Sequence, residues 1–392
     1  MKVLQITRDY TNNGGIGRYV QDVTSALRDA GHDVAVICAQ GPAGPDLGDV
    51  HVIPGCDEFE HAEGSRNREA VLERGVTFGP DLVMLHAMDD YALEIELRAR
   101  HRVARFIHNH AYCPSGIDHA PASAHPCDRT QGASCVGGFL TRRCWFVRNP
   151  VTATHFYRRA AAAVANMRTA PLLFTASRYV RERVVRQGVD PRRLVVAPYF
   201  AELPPPPISS DATHGKTLLF AGRIVPEKGL HHVLHAMRDI DEDVRLVVNG
   251  DGPARADAEA LTRQLGLEDR VDFLGWTGRD ELRACYEQAA VAVVPSLWPE
   301  PFGLVGIEAM AHGVPVIGYE SGAIPEWLTD GVTGHVVERG DIAGLAARIG
   351  EILSDEPLRA RMSCAARRQV AEQYTAPRHL AVLCRAVGST PW

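Results

Sequence analysis

The run Pro295-Ser296-Leu297-Trp298-Pro299-Glu300-Pro301-Phe302-Gly303-Leu304-Val305-Gly306-Ile307-Glu308-Ala309-Met310 carries the sharpest chemical signal in this chain. A strand ends there, a proline-rich turn follows, and a helix starts near Phe302 or Gly303. The first N–H groups of a helix have no partners inside it and form a seat for a diphosphate, which Gly303 allows to approach closely. Glu300 precedes the helix and Glu308 lies about two turns inside it. Carboxylates so spaced can grip hydroxyls on either side of a diphosphate, one on a sugar and one on a ribose. A capping charge plus a solvated charge would give the same pair of letters, so the surroundings decide. Upstream, Phe220-Ala221-Gly222-Arg223-Ile224-Val225-Pro226-Glu227-Lys228-Gly229 ends another strand and fixes two cations, Arg223 and Lys228, in the loop after it. Two cations at a strand end suit a diphosphate leaving group.

In the first half, Arg8-Asp9-Tyr10-Thr11-Asn12-Asn13-Gly14-Gly15-Ile16-Gly17-Arg18 follows an opening strand and leads into a helix; its glycines permit a tight turn and close backbone approach. The strand Val103 to Ile107 ends in His108-Asn109-His110, where a histidine is either a polar strand end or a functional group. Beyond it, Cys113, Cys127, Cys135 and Cys144 are spaced Cys-x13-Cys-x7-Cys-x8-Cys within a loop-rich excursion. They lack the paired spacing of zinc knuckles. A structural metal or iron–sulfur cluster on these four is the preferred expectation, with two disulfides or free thiols as the alternatives.

The elements that position these residues follow a rhythm. Short Val/Ile/Leu-rich runs alternate with helical patterns at Lys2 to Ile6, Asp33 to Cys38, Asp81 to Leu85, Val103 to Ile107 and Leu172 to Thr175. They resume at Thr217 to Ala221, Val244 to Val248, Val271 to Leu274, Val291 to Val294 and Val314 to Ile317. That pattern indicates βα units and parallel sheets. The proline run from Leu203 to Pro207 is read as the linker. The expected fold class is therefore α/β with two Rossmann-like domains. The first spans 1–205 with a cysteine-rich insertion at 111–146, the second spans 211–373, and a last segment spans 374–392.

Composition agrees. A chain of 392 residues with 45% hydrophobic and 23% charged residues is ordinary globular protein, about twice one domain in length. No stretch approaches the ~20 apolar residues of a membrane span. The net charge of -6 gives no general attraction to nucleic acid or anionic lipid. The N-terminus turns polar without building a secretory signal, so the expected location is cytoplasmic and the nine cysteines are expected in a reducing compartment.

With these motifs in place, the sequence resembles the retaining glycosyltransferases of family 4, which have the GT-B fold and the donor signature Glu, seven residues, Glu. The resemblance implies two domains facing across a cleft and a last helix, near Ala376 to Val387, crossing back to the first domain. It implies that Glu300 meets the transferred sugar, Glu308 the ribose, and the backbone from Phe302 through Gly303 to Leu304 the sugar and phosphate. Arg223 and Lys228 would stabilise charge on the β-phosphate, beside Gly222. Asn249-Gly250 and Leu274-Gly275-Trp276 match two further donor-side turns, the second near the base. Gly14 and Gly15 match a turn touching donor phosphate and acceptor. His108 matches the histidine of the family's His-Asp pair, near the sugar, with Asn109 in place of the acid, and His110 is a second candidate toward the acceptor. The implied activity is retaining, metal-independent transfer of a hexose or N-acetylhexosamine from a nucleoside-diphosphate sugar, with a UDP-sugar favoured, to a glycan or small-molecule hydroxyl. No cofactor is expected for catalysis. A nucleotide-sugar epimerase or phosphorylase on the same fold, or a non-catalytic carbohydrate-binding protein, is the alternative.

Overall fold

The computed structural model describes residues 1–11, 14–41, 49–57, 64–116, 127, 129–141, 144, 149–205 and 215–390. They form two compact units, Met1–Pro198 with Pro377–Trp392, and Tyr199–Ala376.

The first unit is a seven-stranded sheet of β1 (Lys2–Asp9), β2 (Asp33–Gln40), β3 (Val50–Val52), β4 (Leu82–His86), β5 (Val103–Ile107), β6 (Leu172–Thr175) and β7 (Leu194–Val196). Their order is β3-β2-β1-β4-β5-β6-β7 and every pair is parallel. Every residue of β4 and β5 is buried, the signature of strands covered on both faces. The helix Gly15–Asp29 buries Tyr19, Val20, Val23 and Leu27, the stripe its spacing predicts. It stops before Gly31, whose φ of 81° only glycine adopts at little cost.

The second unit is a six-stranded parallel sheet of β8 (Thr217–Ala221), β9 (Arg245–Asn249), β10 (Val271–Gly275), β11 (Val291–Val294), β12 (Val316–Tyr319) and β13 (Gly334–Val337). Its order, β10-β9-β8-β11-β12-β13, reverses direction between β8 and β11. At such a switch point the two following loops diverge to opposite faces of the sheet and leave a crevice at the carboxyl ends of the strands, where ligands of open α/β sheets bind. The loops concerned are those of Arg223 and Lys228 after β8, and of Glu300 after β11.

Three short strands, β3, β7 and β13, were not among those expected. None exceeds four residues, and β3 carries no continuous buried run. The passage between units also differs from the expected linker. It lies at Pro198–Tyr199, ahead of the proline run, because Ala201 N–H bonds Tyr374 O at 3.0 Å and Tyr199 packs its ring on Phe302 at 5.1 Å. The end of the expected linker, 206–207, and the residues that follow it to 214 lie outside the described residues. The long C-terminal helical stretch divides into Glu356–Gln373 and Ala376–Ser389. Nearly all of the latter belongs to the first unit, where His379 bonds Pro198 O at 2.7 Å and Tyr19 Oη at 2.8 Å.

The expected four-cysteine metal site is not assembled among the described residues. No group of three or more His, Cys, Asp or Glu stands ready to hold an ion there. Cys113 lies 3.1 Å from Ser115 Oγ in the turn after β5, while Cys135 sits in the helix Ala133–Thr141. Much of the insertion, 117–126, 128, 142–143 and 145–146, lies outside the described residues. Among the described residues, no helix is long and apolar enough to cross a membrane.

Candidate active site

At the switch point of the second unit the loops are laced together through backbone. After β8, Gly222 N–H bonds Asn249 O at 2.9 Å and Ile224 N–H bonds Asp251 O at 2.8 Å. Gly250 N–H then bonds Gly275 O at 2.8 Å, tying in the loop after β10. The approach is so close that a Cβ on Gly250 would sit 1.9 Å from Gly222 O. The Asn249 side chain is buried and donates to Thr277 Oγ1 at 2.6 Å. Toward β11, Leu297 N–H bonds Glu227 O at 2.8 Å, and Gly229 passes so near Pro295 O that a side chain would not fit. This stitching brings Lys228 beside Glu300.

Glu300 is 3% exposed, and its Oε1 receives Lys228 Nζ at 2.5 Å, Ser296 Oγ at 2.5 Å and Trp298 Nε1 at 3.0 Å. Lys228 also lies over the Trp298 ring, 5.3 Å from its centroid. Burial pushes the Glu300 carboxyl up. Lys228, with the hydrogen bonds from Ser296 and Trp298, outweighs that and holds the group below its ordinary range, hence ionised. Arg223 is exposed, and its guanidinium has no hydrogen-bond or ion-pair partner among the described residues.

The helix after Glu300 is Leu304–Ala311, capped by Gly303 in the left-handed conformation at φ 93°. Trp327, wholly buried, fixes this cap: its Nε1–H donates to Phe302 O at 2.6 Å, and its ring lies against Gly303 and Gly306. Glu308 accepts from Tyr286 Oη at 3.0 Å through Oε2, and Tyr286 in turn stacks on His312. Leu274, within β10, and Trp276, just after it, are exposed by nearly half, 47% and 44%. An exposed Trp and Leu beside laced backbone form an apolar ledge suited to a flat ring.

In the first unit, the ends of β1, β4 and β5 hold a second cluster. His108 is 6% exposed, stacks on Phe106 with centroids 4.6 Å apart, and bonds His86 through Nε2 at 2.9 Å. Gly14 and Gly15 open the helix Gly15–Asp29, and a Cβ on either would meet nothing within 4 Å.

The profile of the Glycosyltransferase Family 4 group matches residues 13–202, and that of Glycosyl transferases group 1 matches residues 208–369. The chain is a family 4 glycosyltransferase. It is 28% identical to a glycogen synthase of Mycobacterium tuberculosis over 95% of this chain and 91% of that protein. Over 39% of this chain and 38% of the relative, it is 39% identical to a D-inositol 3-phosphate glycosyltransferase of Corynebacterium diphtheriae. Its fold matches that of Anabaena HepE, solved with UDP and glucose, with a TM-score of 0.77 at 18% identity, covering 99% of this chain and all of that one.

Within this glycosyltransferase, Gly222, Arg223, Lys228, Gly250, Glu300, Phe302, Gly303 and Leu304 lie on loops or the helix start at the carboxyl edge of one sheet, Asn249 ends β9, and Glu308 lies one turn inside the helix Leu304–Ala311. His110 is different. It has no exposed surface and its Nδ1 lies 2.8 Å from Tyr112 Oη, so a direct acceptor contact is not carried forward. The glycine that packing requires in the first turn is Gly17, whose Cβ would lie 2.4 Å from Thr11 O, rather than Gly14 or Gly15. Sequence reading also passed over Ser296, Trp298, Tyr286 and Gly322. The first two stood in the quoted run, but nothing in the letters says that both donate to one carboxylate oxygen.

Proposed function

We propose that this glycosyltransferase moves a hexosyl or N-acetylhexosaminyl group from a nucleoside-diphosphate sugar to a hydroxyl of a glycan or small molecule. It does so with retention of anomeric configuration and without a metal ion, and uridine is the favoured base. The observation that carries the reading is an ionised, triply hydrogen-bonded Glu300 beside Lys228, with the exposed Arg223 in the same loop, at one switch point.

The glycosidic bond from C1 to the β-phosphate oxygen breaks, and its electron pair goes to that oxygen. Arg223 and Lys228, with the amides around Gly303 and Leu304, take up the growing charge. The acceptor hydroxyl oxygen bonds C1 on the face the nucleotide leaves, and its proton passes to the departing phosphate oxygen. Glu300 holds hydroxyls of the transferred sugar, Glu308 those of the ribose, and Leu274 and Trp276 flank the base. Gly14 and Gly15 are assigned to phosphate and acceptor, and His108 to the transferred sugar. The two overlapping Asp-x-Asp runs, Asp239-Ile240-Asp241 and Asp241-Glu242-Asp243, support the metal-free reading by their position. Asp241 pairs with Lys216 at 3.4 Å ahead of β8 and β9, at the amino edge of the sheet and away from Glu300. The uridine preference is supported by HepE, which was solved with UDP.

The test is a thermal-shift panel with UDP, GDP, ADP and their common sugar conjugates, followed by NMR of the sugar first released from the conjugate that binds. At a hundredfold excess over Kd, binding adds about 2.7 kcal/mol. A shift with the uridine compounds and an initial product of the donor's own anomeric configuration is expected. A shift confined to GDP or ADP overturns the base assignment, and an inverted first product overturns retention.

A further inference from the structure

Behind His108 runs a line of buried polar side chains whose hydrogen bonds can point only one way. The Thr24 hydroxyl lies 2.6 Å from Val20 O, one turn back in its own helix. A carbonyl only accepts, so the hydroxyl proton points there. Thr24 Oγ1 is left to accept from Gln5 Nε2 at 2.6 Å, which turns Gln5 Oε1 toward His86 Nε2 at 3.0 Å. An amide oxygen also only accepts, so the His86 proton sits on Nε2. His86 is uncharged, since burial, then Arg105 and His379, pushes its pKa down to about 3. Its Nδ1 is therefore a lone pair, and it faces His108 Nε2 at 2.9 Å. His108 has to supply the proton of that bond. The opposite arrangement would set two lone pairs against each other in a buried site.

The His108 ring has little freedom to escape this. It stacks on Phe106 at an interplanar angle of 13°, and Tyr19 meets it edge-on at 5.2 Å. Burial, then His86, Arg105 and His379, holds it uncharged as well. A neutral imidazole protonated on Nε2 keeps its lone pair on Nδ1.

We infer that Gln5 and His86 are positioning residues that lock His108 in its Nε2-protonated tautomer, so that His108 meets a hydroxyl of the transferred sugar as an acceptor through Nδ1. The tautomer follows from the direction of these hydrogen bonds between uncharged, buried rings; the sugar contact rests on the role assigned to His108 above. The same neighbourhood contains an internal control. His379 bonds Pro198 O through Nδ1 at 2.7 Å and therefore carries its proton there, leaving Nε2 to accept from Tyr19 Oη at 2.8 Å. Two of the three clustered histidines thus have one tautomer and the third has the other.

The experiment is long-range proton–nitrogen NMR on the full chain labelled at histidine nitrogens. Signals are assigned with His86→Phe, His86→Asn and His108→Ala, and nucleotide release is measured in parallel from the sugar nucleotide that turns over in the panel, beginning with UDP-glucose. His86 and His108 are expected protonated at Nε2 and His379 at Nδ1. His86→Phe removes the acceptor, so His108 loses its single tautomer and kcat falls roughly tenfold or more at an unchanged KM for the donor. His86→Asn puts an amide oxygen where Nδ1 was and restores both. A variant that is merely destabilised would lower the melting temperature and leave the His108 signal as it was. Protonation of wild-type His108 at Nδ1, or an unmoved His108 signal in His86→Phe, overturns the inference. The derived tautomer together with full turnover by His108→Ala would instead remove His108 from the sugar, which separates failure of the functional reading from failure of the hydrogen-bond line.

Discussion

Lys228→Ala is expected to lower kcat by about a hundredfold to a thousandfold, the usual consequence of removing one preorganised group that stabilises developing charge. The same change acts on Glu300. With its cation gone, a carboxylate that is 3% exposed keeps Ser296 and Trp298 as its side-chain donors among the described residues. Stability should fall by about 3 kcal/mol, the low end for breaking a buried pair, because the Lys228 side chain keeps about a quarter of its surface in solvent. The pH dependence has a definite sign. In the wild type the Glu300 pKa is depressed, so its contribution to stability is present above its unfolded pKa and is lost as pH falls through the folded one. Without Lys228 burial is opposed less, the folded pKa rises, and the acid limb of kcat/KM moves to higher pH. Rates and urea unfolding measured across pH 4 to 8 check both parts. An unchanged acid limb would mean that Lys228 does not set the charge of Glu300.

Gly322→Ala should damage the same site from the other side. Gly322 is left-handed at φ 61°, and a Cβ there would lie 2.3 Å from both the N and the O of Glu300. The left-handed backbone costs an ordinary residue about 1–2 kcal/mol, and forcing the backbones apart about as much again. The displaced partner is Glu300 itself, held at this point by Ala323 N–H on Glu300 O at 2.8 Å. A loss of about 3 kcal/mol, with weakened sugar-nucleotide binding, is therefore expected. Gly331→Ala is the control. It shares the left-handed backbone, at φ 71°, but its Cβ would meet nothing within 4 Å. It should lose only the backbone cost and bind donor normally. Equal stability losses in the two variants would show that the clash is relieved without moving Glu300.

The two variants also mark what could and could not be read from the sequence. The two-sheet α/β fold was legible because β1, β2, β4 to β6 and β8 to β12 are short runs rich in apolar residues with glycine or polar punctuation. Arg223, Lys228 and Glu300 stand out as candidates because charged residues at strand ends of such a sheet have few structural reasons to be there, and Glu308 by its spacing from Glu300. The short strands β3, β7 and β13 carry too few apolar residues to rise above loops. Gln5 and His86 sit inside strands that read as core, and their partners, Thr24 and His108, lie on other elements. Only the fold shows that these side chains form one line. Gly322 is similar, one glycine among many until Glu300 is seen against it. The cysteine spacing gave a metal-site expectation that the fold does not support, since cysteines close in sequence need not converge, and among the described residues no group of three or more forms.

The measurement that tests the central claim most directly is calorimetric titration of UDP into the full chain and into Arg223→Ala and Glu308→Gln. One site per chain is expected, weakened roughly tenfold or more in each variant, because Arg223 loses a charge-assisted contact to phosphate and Glu308 one to ribose. Binding of UDP with the same affinity to all three proteins would place the nucleotide elsewhere and contradict the donor site described above.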